Sequence, residues 1–370
     1  MPDNVFFSFT LLLLAFHHGS FAQSLNGSNW QMWSPKKAGV EVEYFKVMED
    51  SIQSGYFGEV HSVLVIKNGR LIFESYYNGS HRDSLHTLQS ITKSITATGV
   101  GIAIQSGIIE GVHERILPVF RDKFEVRALN DNKKSLTLYD LMTMQAGFKW
   151  KEGAWNGPEN SWRKIVEYKG NWYKKILDTP VTKVPGSMFE YQSGNPILVN
   201  GYIQTVSDGT LTNFYQQYLF EPLQINNIHF VDVNGGAEKN GGVVLNMRSQ
   251  DLAKIGYLYL NKGRWQGQQI VSSSFIKDAV STHVSHAEEN AFYSYSYGYF
   301  WWLNPLNKLE SEWKIDNTGI FLGRGAGGQH LIVWPSKELV CVITAWNLQR
   351  PTRVQTIFDR YVIPAVLGQK

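Results

Sequence analysis

Apolar residues cluster in strand-like fashion near both ends of the chain, and the long span between switches to a helical spacing. Val60 to Ile66 and Leu71 to Tyr77 are β-rich runs flanking Lys67-Asn68-Gly69-Arg70, which predicts a hairpin closed by an Asn-Gly turn. His330 to Trp334, the turn Pro335 to Glu338, and Leu339 to Trp346 repeat the pattern. Between them, Ile91 to Gln105, Leu136 to Gln145, Pro196 to Val206, Asn213 to Leu219 and Ser249 to Leu260 carry apolar residues at helical intervals. Strands at both ends around a helical insertion predict an α+β fold of two lobes. One antiparallel sheet would be assembled from the two ends, and the crevice between the lobes is the expected ligand site.

At the start, Val5 to Phe16 is apolar except for Ser8 and Thr10, and small residues follow to Ala22. Residues 1–22 are therefore expected to be a signal peptide, leaving a soluble, secreted or periplasmic mature chain at 23–370. The run is shorter than the roughly 20 apolar residues of a membrane span, and no later stretch approaches that length. Asn26-Gly27-Ser28 and Asn78-Gly79-Ser80 fit the glycosylation triplet. The single cysteine, Cys341, excludes an intrachain disulfide and sits in an apolar strand-like run, as core filler. Thirty-five Lys and Arg against 32 Asp and Glu leave a net charge of +3 without a dense basic run, so no nucleic-acid partner is expected.

The helix from Ile91 opens with Gln89-Ser90-Ile91-Thr92-Lys93-Ser94, which puts Ser90 at its start and Lys93 one turn later on the same face. A serine hydroxyl becomes a good nucleophile when a base within hydrogen-bond reach takes its proton, and an unprotonated lysine amine can be that base. Amide N–H groups at a helix start suit a developing oxyanion. Taken alone, the pattern also fits a capping serine with a solvated lysine. Its setting argues otherwise: Ile91, Ile95, Val100, Ile102 and Ala103 leave little polar face, and Gly99 and Gly101 suggest close packing against a neighbour.

Two further segments offer partners. Pro185 to Asn195 is turn-rich and carries Tyr191 and Ser193 two residues apart, a phenol able to exchange protons and a hydroxyl aimed from a loop. Gly323-Arg324-Gly325-Ala326-Gly327-Gly328 contains the G-x-G-x-x-G string but opens a strand rather than a helix, which excludes a dinucleotide site. Glycines there instead allow a substrate carbonyl close to free backbone N–H groups. No G-x-S-x-G elbow occurs, and His283 and His286 have no patterned acidic or cysteine companions, so no metal or organic cofactor is expected.

In their order and separations these segments resemble the serine β-lactamase and penicillin-binding-protein superfamily. The likeness is to its class C-like branch, near the 6-aminohexanoate-dimer hydrolases and esterases, from about Val60 to Val366. Leu136 to Gly147, Gly242 to Leu260 and Tyr297 to Trp302 also match. The resemblance implies a β-lactamase-like α+β fold, with an α/β lobe at about 40–82 and 240–370 and a helical lobe at about 83–239. It implies Ser90 as the acylated nucleophile, Lys93 and Tyr191 as the proton-transfer pair, and Ser193 as a group holding the substrate or Lys93. The N–H groups of Ser90 and Ala326 would form the oxyanion hole. The family's third motif falls on Gly323-Arg324-Gly325, where the cation used near a substrate carboxylate is missing at Gly323. The expectation is a serine hydrolase acting on a small amide or ester. The alternatives are a penicillin-recognising sensor or binding protein, or a true β-lactamase or D-Ala-D-Ala carboxypeptidase.

Overall fold

The computed structural model describes residues 25–26, 29–153, 156–232, 243–289, 293–307, 319–348 and 353–368. The expected signal peptide and the Asn26-Gly27-Ser28 triplet, apart from Asn26, lie outside the described residues. Among the described residues eight strands form the main sheet: β1 Val60–Lys67, β2 Arg70–Tyr76, β3 Val284–Glu289, β4 Tyr293–Tyr297, β5 Trp302–Asn307, β6 Phe321–Gly325, β7 Gln329–Trp334 and β8 Leu339–Ala345. Their order is β3-β4-β5-β6-β7-β8-β1-β2, antiparallel throughout. The two expected hairpins are therefore neighbours, joined where Cys341 faces Val65. Cys341 is fully buried, and burial pushes its thiol far above the ordinary range, as befits core packing.

β7 and β8 are buried along their whole length, so they read as continuous apolar runs without alternation. Helix α5 (Ser249–Leu260) covers one face. It can approach because Gly256 has no side chain: a Cβ there would stand 2.7 Å from Val340 and 2.8 Å from Leu331. Near the chain ends, α1 (Val42–Gln53) packs with α6 (Ile363–Leu367). The central helix, α2 (Ile91–Gln105), is buried from Ile91 to Ala103. Cβ atoms at Gly99 and Gly101 would collide with Tyr215 and Phe275, the close packing their spacing suggested.

Three sequence expectations change in detail. The helix expected over 136–145 is only α3 (Leu138–Met142), because Met144 turns the chain out at φ 60. The helix at Asn213 runs Leu211–Tyr215 and relaxes into a wider turn over Gln216–Phe220. Within the span from 83 to 239, read from the sequence as mostly helical, His86–Thr87 and Ile228–Asp232 are strands that join Val243–Met247 in a sheet of three strands among the described residues. Among the described residues no helix is long and apolar enough to cross a membrane.

Candidate active site

Ser90 caps α2, delivered by a sharp turn in which Gln89 takes the left-handed φ of 48. The preceding residues are pinned to the small sheet, with the Leu88 N–H donating to the Leu245 carbonyl at 2.8 Å. One turn into the helix, Lys93 is buried and its Nζ donates to Ser90 Oγ at 2.8 Å. Among the described residues Lys93 has no carboxylate partner. Its Nζ sits 4.9 Å from the centre of the Tyr191 ring, so the three side chains form one contiguous group.

Tyr191 comes from the loop before α4 (Gly194–Val206), and α3 fixes that loop. The Thr137–Asp140 capping box starts α3, the Met144 carbonyl accepts from the Glu190 N–H at 2.8 Å, and the Gln145 carbonyl accepts from Gly186 N–H at 2.9 Å. Tyr191 then stacks on Trp302 of β5, centroids 5.6 Å apart and planes 22° apart. Among the described residues its hydroxyl has no hydrogen-bond partner, which leaves it available. Ser193 faces elsewhere. Its Oγ donates to Glu152 at 3.1 Å, a carboxylate that also accepts from Trp150 Nε1 at 2.7 Å, so Ser193 holds the loop and makes no hydrogen bond with Lys93, whose Nζ goes to Ser90.

The glycine segment forms the opposite wall. A Cβ at Gly323 would lie 3.2 Å from both Ile91 and Ser94, and one at Gly325 only 2.4 Å from the Leu88 carbonyl. These two glycines therefore seat β6 against α2 and the turn that carries Ser90. Pleating sends Arg324 to the other side, into the cleft. There it donates to Glu288 at 3.0 Å and lies 4.5 and 4.9 Å from the Tyr295 and Trp302 ring centres. The cleft, about 470 Å³, is lined by Ser90, Phe189, Tyr191, Trp302, Arg324 and Ala326 among others. Among the described residues the N–H groups of Ser90 and Ala326, two residues that line the cleft, make no hydrogen bond.

His330 also lines the cleft, and burial with the nearby Arg324 charge pushes it down to about 3, so its ring is neutral. No group of three or more His, Cys, Asp or Glu able to hold a metal occurs among the described residues. His283 and His286 are not brought together as a site: His283 binds the Asp278 carbonyl at 2.9 Å and stacks on Tyr299. Sequence reasoning missed Phe189, Glu288, Trp302 and His330. Trp302 lay inside a matched segment, and His330 follows the glycines directly, but nothing local marks Glu288.

The chain is similar to a 6-aminohexanoate-dimer hydrolase from Paenarthrobacter ureafaciens, 23% identical over 306 residues, 76% of this chain and 72% of the relative. Among solved structures, a Bacillus anthracis protein provisionally assigned as a 6-aminohexanoate-dimer hydrolase superposes with a TM-score of 0.68. It shares 21% identity, and the match covers 86% of this chain and 81% of that one. A family VIII carboxylesterase gives 0.67 at 14% identity, covering 91% and 98%. The beta-lactamase family profile matches residues 59–361, which include every strand of the main sheet and every wall of the cleft. The chain therefore belongs to the beta-lactamase family.

Proposed function

We propose that the chain is a serine hydrolase that cleaves a small amide or ester through an acyl-enzyme on Ser90. The observation that carries this reading is the 2.8 Å contact between Lys93 Nζ, buried and without a carboxylate partner among the described residues, and the cleft-lining Ser90 hydroxyl. With Lys93 as neutral amine, the Ser90 proton passes to Nζ as Oγ attacks the carbonyl carbon, and the free N–H groups of Ser90 and Ala326 receive the oxyanion. The Tyr191 hydroxyl relays the proton to the leaving amine or alcohol. Water then attacks the acyl carbon, returning its proton by the same pair and freeing Ser90.

The substrate class follows from the walls of the cleft. Phe189, Tyr191 and Trp302 favour an aliphatic or aromatic body, and Glu288 already occupies the Arg324 charge. That combination suits neutral amides and esters better than a penicillin carboxylate. The names of the similar aminohexanoate-dimer hydrolase and carboxylesterase point to the same bond types. The apolar run from Val5 to Phe16 supports export of the mature chain. Turnover of linear amides and short-chain esters by the wild type and by Ser90→Ala is the test. Loss of turnover by as much as about 10⁶ is expected, and full activity in the variant overturns the assignment.

A further inference from the structure

Four residues before Ser90, outside the cleft lining, two histidines meet in a geometry that fixes how many protons they share. His86 Nδ1 lies 3.1 Å from the Thr87 carbonyl oxygen, His86 Nε2 lies 2.6 Å from His61 Nδ1, and His61 Nε2 lies 3.1 Å from the Glu59 carboxylate. Both ends of this chain, a carbonyl and a carboxylate, only accept. Three contacts therefore need three ring hydrogens, whereas two neutral imidazoles carry two. With only two, one contact becomes lone pair against lone pair: between the rings, between His61 and Glu59, or between His86 and the Thr87 carbonyl.

We infer that the His61–His86 pair holds one extra proton at neutral pH, balanced by Glu59, and that this proton latches the segment carrying Ser90 to the main sheet. His61 sits on β1, and His86 is on the short strand whose next residues are Thr87, Leu88, Gln89 and Ser90. The latch is thus one of the ties, with the Leu88–Leu245 bond, that place the hydroxyl. His61 and His86 are positioning residues and touch no reacting atom. The charged groups acting on His86 are His61 and Glu59. Burial favours a neutral ring at His86, and the carboxylate stands at the other end of the pair, 3.1 Å from His61 Nε2. Asp83, three residues before His86, and Arg248, next to its strand partner Met247, are occupied with each other at 3.4 Å.

Glu59→Gln separates this latch from ordinary packing. The side-chain amide that this substitution introduces can donate to His61 Nε2, so two neutral rings satisfy all three contacts and no extra proton is needed. Glu59 is half-exposed, so the substitution leaves the core alone. Ring ¹⁵N shifts of the intact protein at pH 7 should count three protonated nitrogens on the pair in the wild type and two in Glu59→Gln. For a neutral ester, the wild-type to Glu59→Gln ratio of kcat/KM cancels the ionisations of the catalytic group. It should fall about three- to tenfold between pH 6 and pH 9, the worth of one hydrogen bond. Two protonated nitrogens in the wild type overturn the inference, and so does a ratio independent of pH. The kinetic arm rests on Ser90 as nucleophile, whereas the proton count does not, so failure of that reading would leave the ¹⁵N result standing.

Discussion

Gly325→Ala tests whether the glycine segment holds the nucleophile turn and the oxyanion donors in register. A Cβ at this position would stand 2.4 Å from the Leu88 carbonyl oxygen and 2.8 Å from Gln329 Cβ. A carbon–oxygen contact relaxes at about 3.3 Å or beyond, so β6 and the turn must separate by close to 1 Å. Leu88 is two residues from Ser90 and Ala326 is next to position 325, so that displacement falls on the distance between hydroxyl and oxyanion donors. A misplacement of about 1 Å costs on the order of 10²-fold in rate, and the overpacking itself costs about 1–3 kcal/mol of stability. Steady-state kcat/KM on a short-chain ester, read beside thermal unfolding, separates the two effects. The expected variant is folded, melts a few degrees lower and is about 10²-fold slower. Gly111→Ala, where a Cβ meets nothing within 4 Å, is the control and should match the wild type. Gly325→Ala with activity within twofold of wild type would mean that the glycine does not hold the nucleophile turn in register.

Lys93→Met and Tyr191→Phe should each lower kcat by at least about 10³-fold, and the double variant should lose little more than the worse single one, because the pair moves one proton between them. Strict additivity in that cycle would mean that one of the two is only packed nearby. Short-chain esters or linear amides should be turned over at least about tenfold better than penicillins, and Glu288→Gln should narrow the gap by releasing Arg324 for a carboxylate. A penicillin preference in the wild type would contradict the assignment of Arg324 to Glu288. His330, pushed down to about 3 in the fold from an ordinary 6.5, binds its proton more readily when unfolded. Its neutral form therefore supports the fold above about 6.5. That support is lost as the pH falls toward 3, by up to about 1.4 kcal/mol per pH unit. Denaturant unfolding at pH 7 and pH 4 should show a smaller acid loss in His330→Gln than in the wild type, and equal losses would remove His330 from the account.

The parts of the site that could be read from the sequence are those set by short-range geometry. Ser90 and Lys93 lie three residues apart on one helix, so their meeting follows from helical pitch once the helix is recognised. The terminal hairpins were legible because Asn68-Gly69 and Pro335 to Glu338 leave the flanking strands no other course. Tyr191 was legible only by its motif, since what places it is bonding between its loop and the end of α3, more than 40 residues earlier in the chain. Arg324 meets Glu288 through the pairing of β3 to β6, and two of those pairings carry register shifts that no local pattern announces. The same long-range pairing hid Trp302 as the ring on which Tyr191 rests. Ser193 shows the converse: its hydroxyl was conspicuous in the sequence, but Glu152, 41 residues away, takes it out of the cleft.

The central claim, covalent catalysis at Ser90, is tested most directly by trapping the intermediate. The intact enzyme is mixed with an activated ester or a fluorophosphonate, quenched in acid, digested and mapped by mass spectrometry. One adduct is expected, on the peptide carrying Ser90, abolished in Ser90→Ala and strongly slowed in Lys93→Met. An adduct on another residue, or ester turnover by the wild type with Ser90 unmodified by the fluorophosphonate, would contradict it.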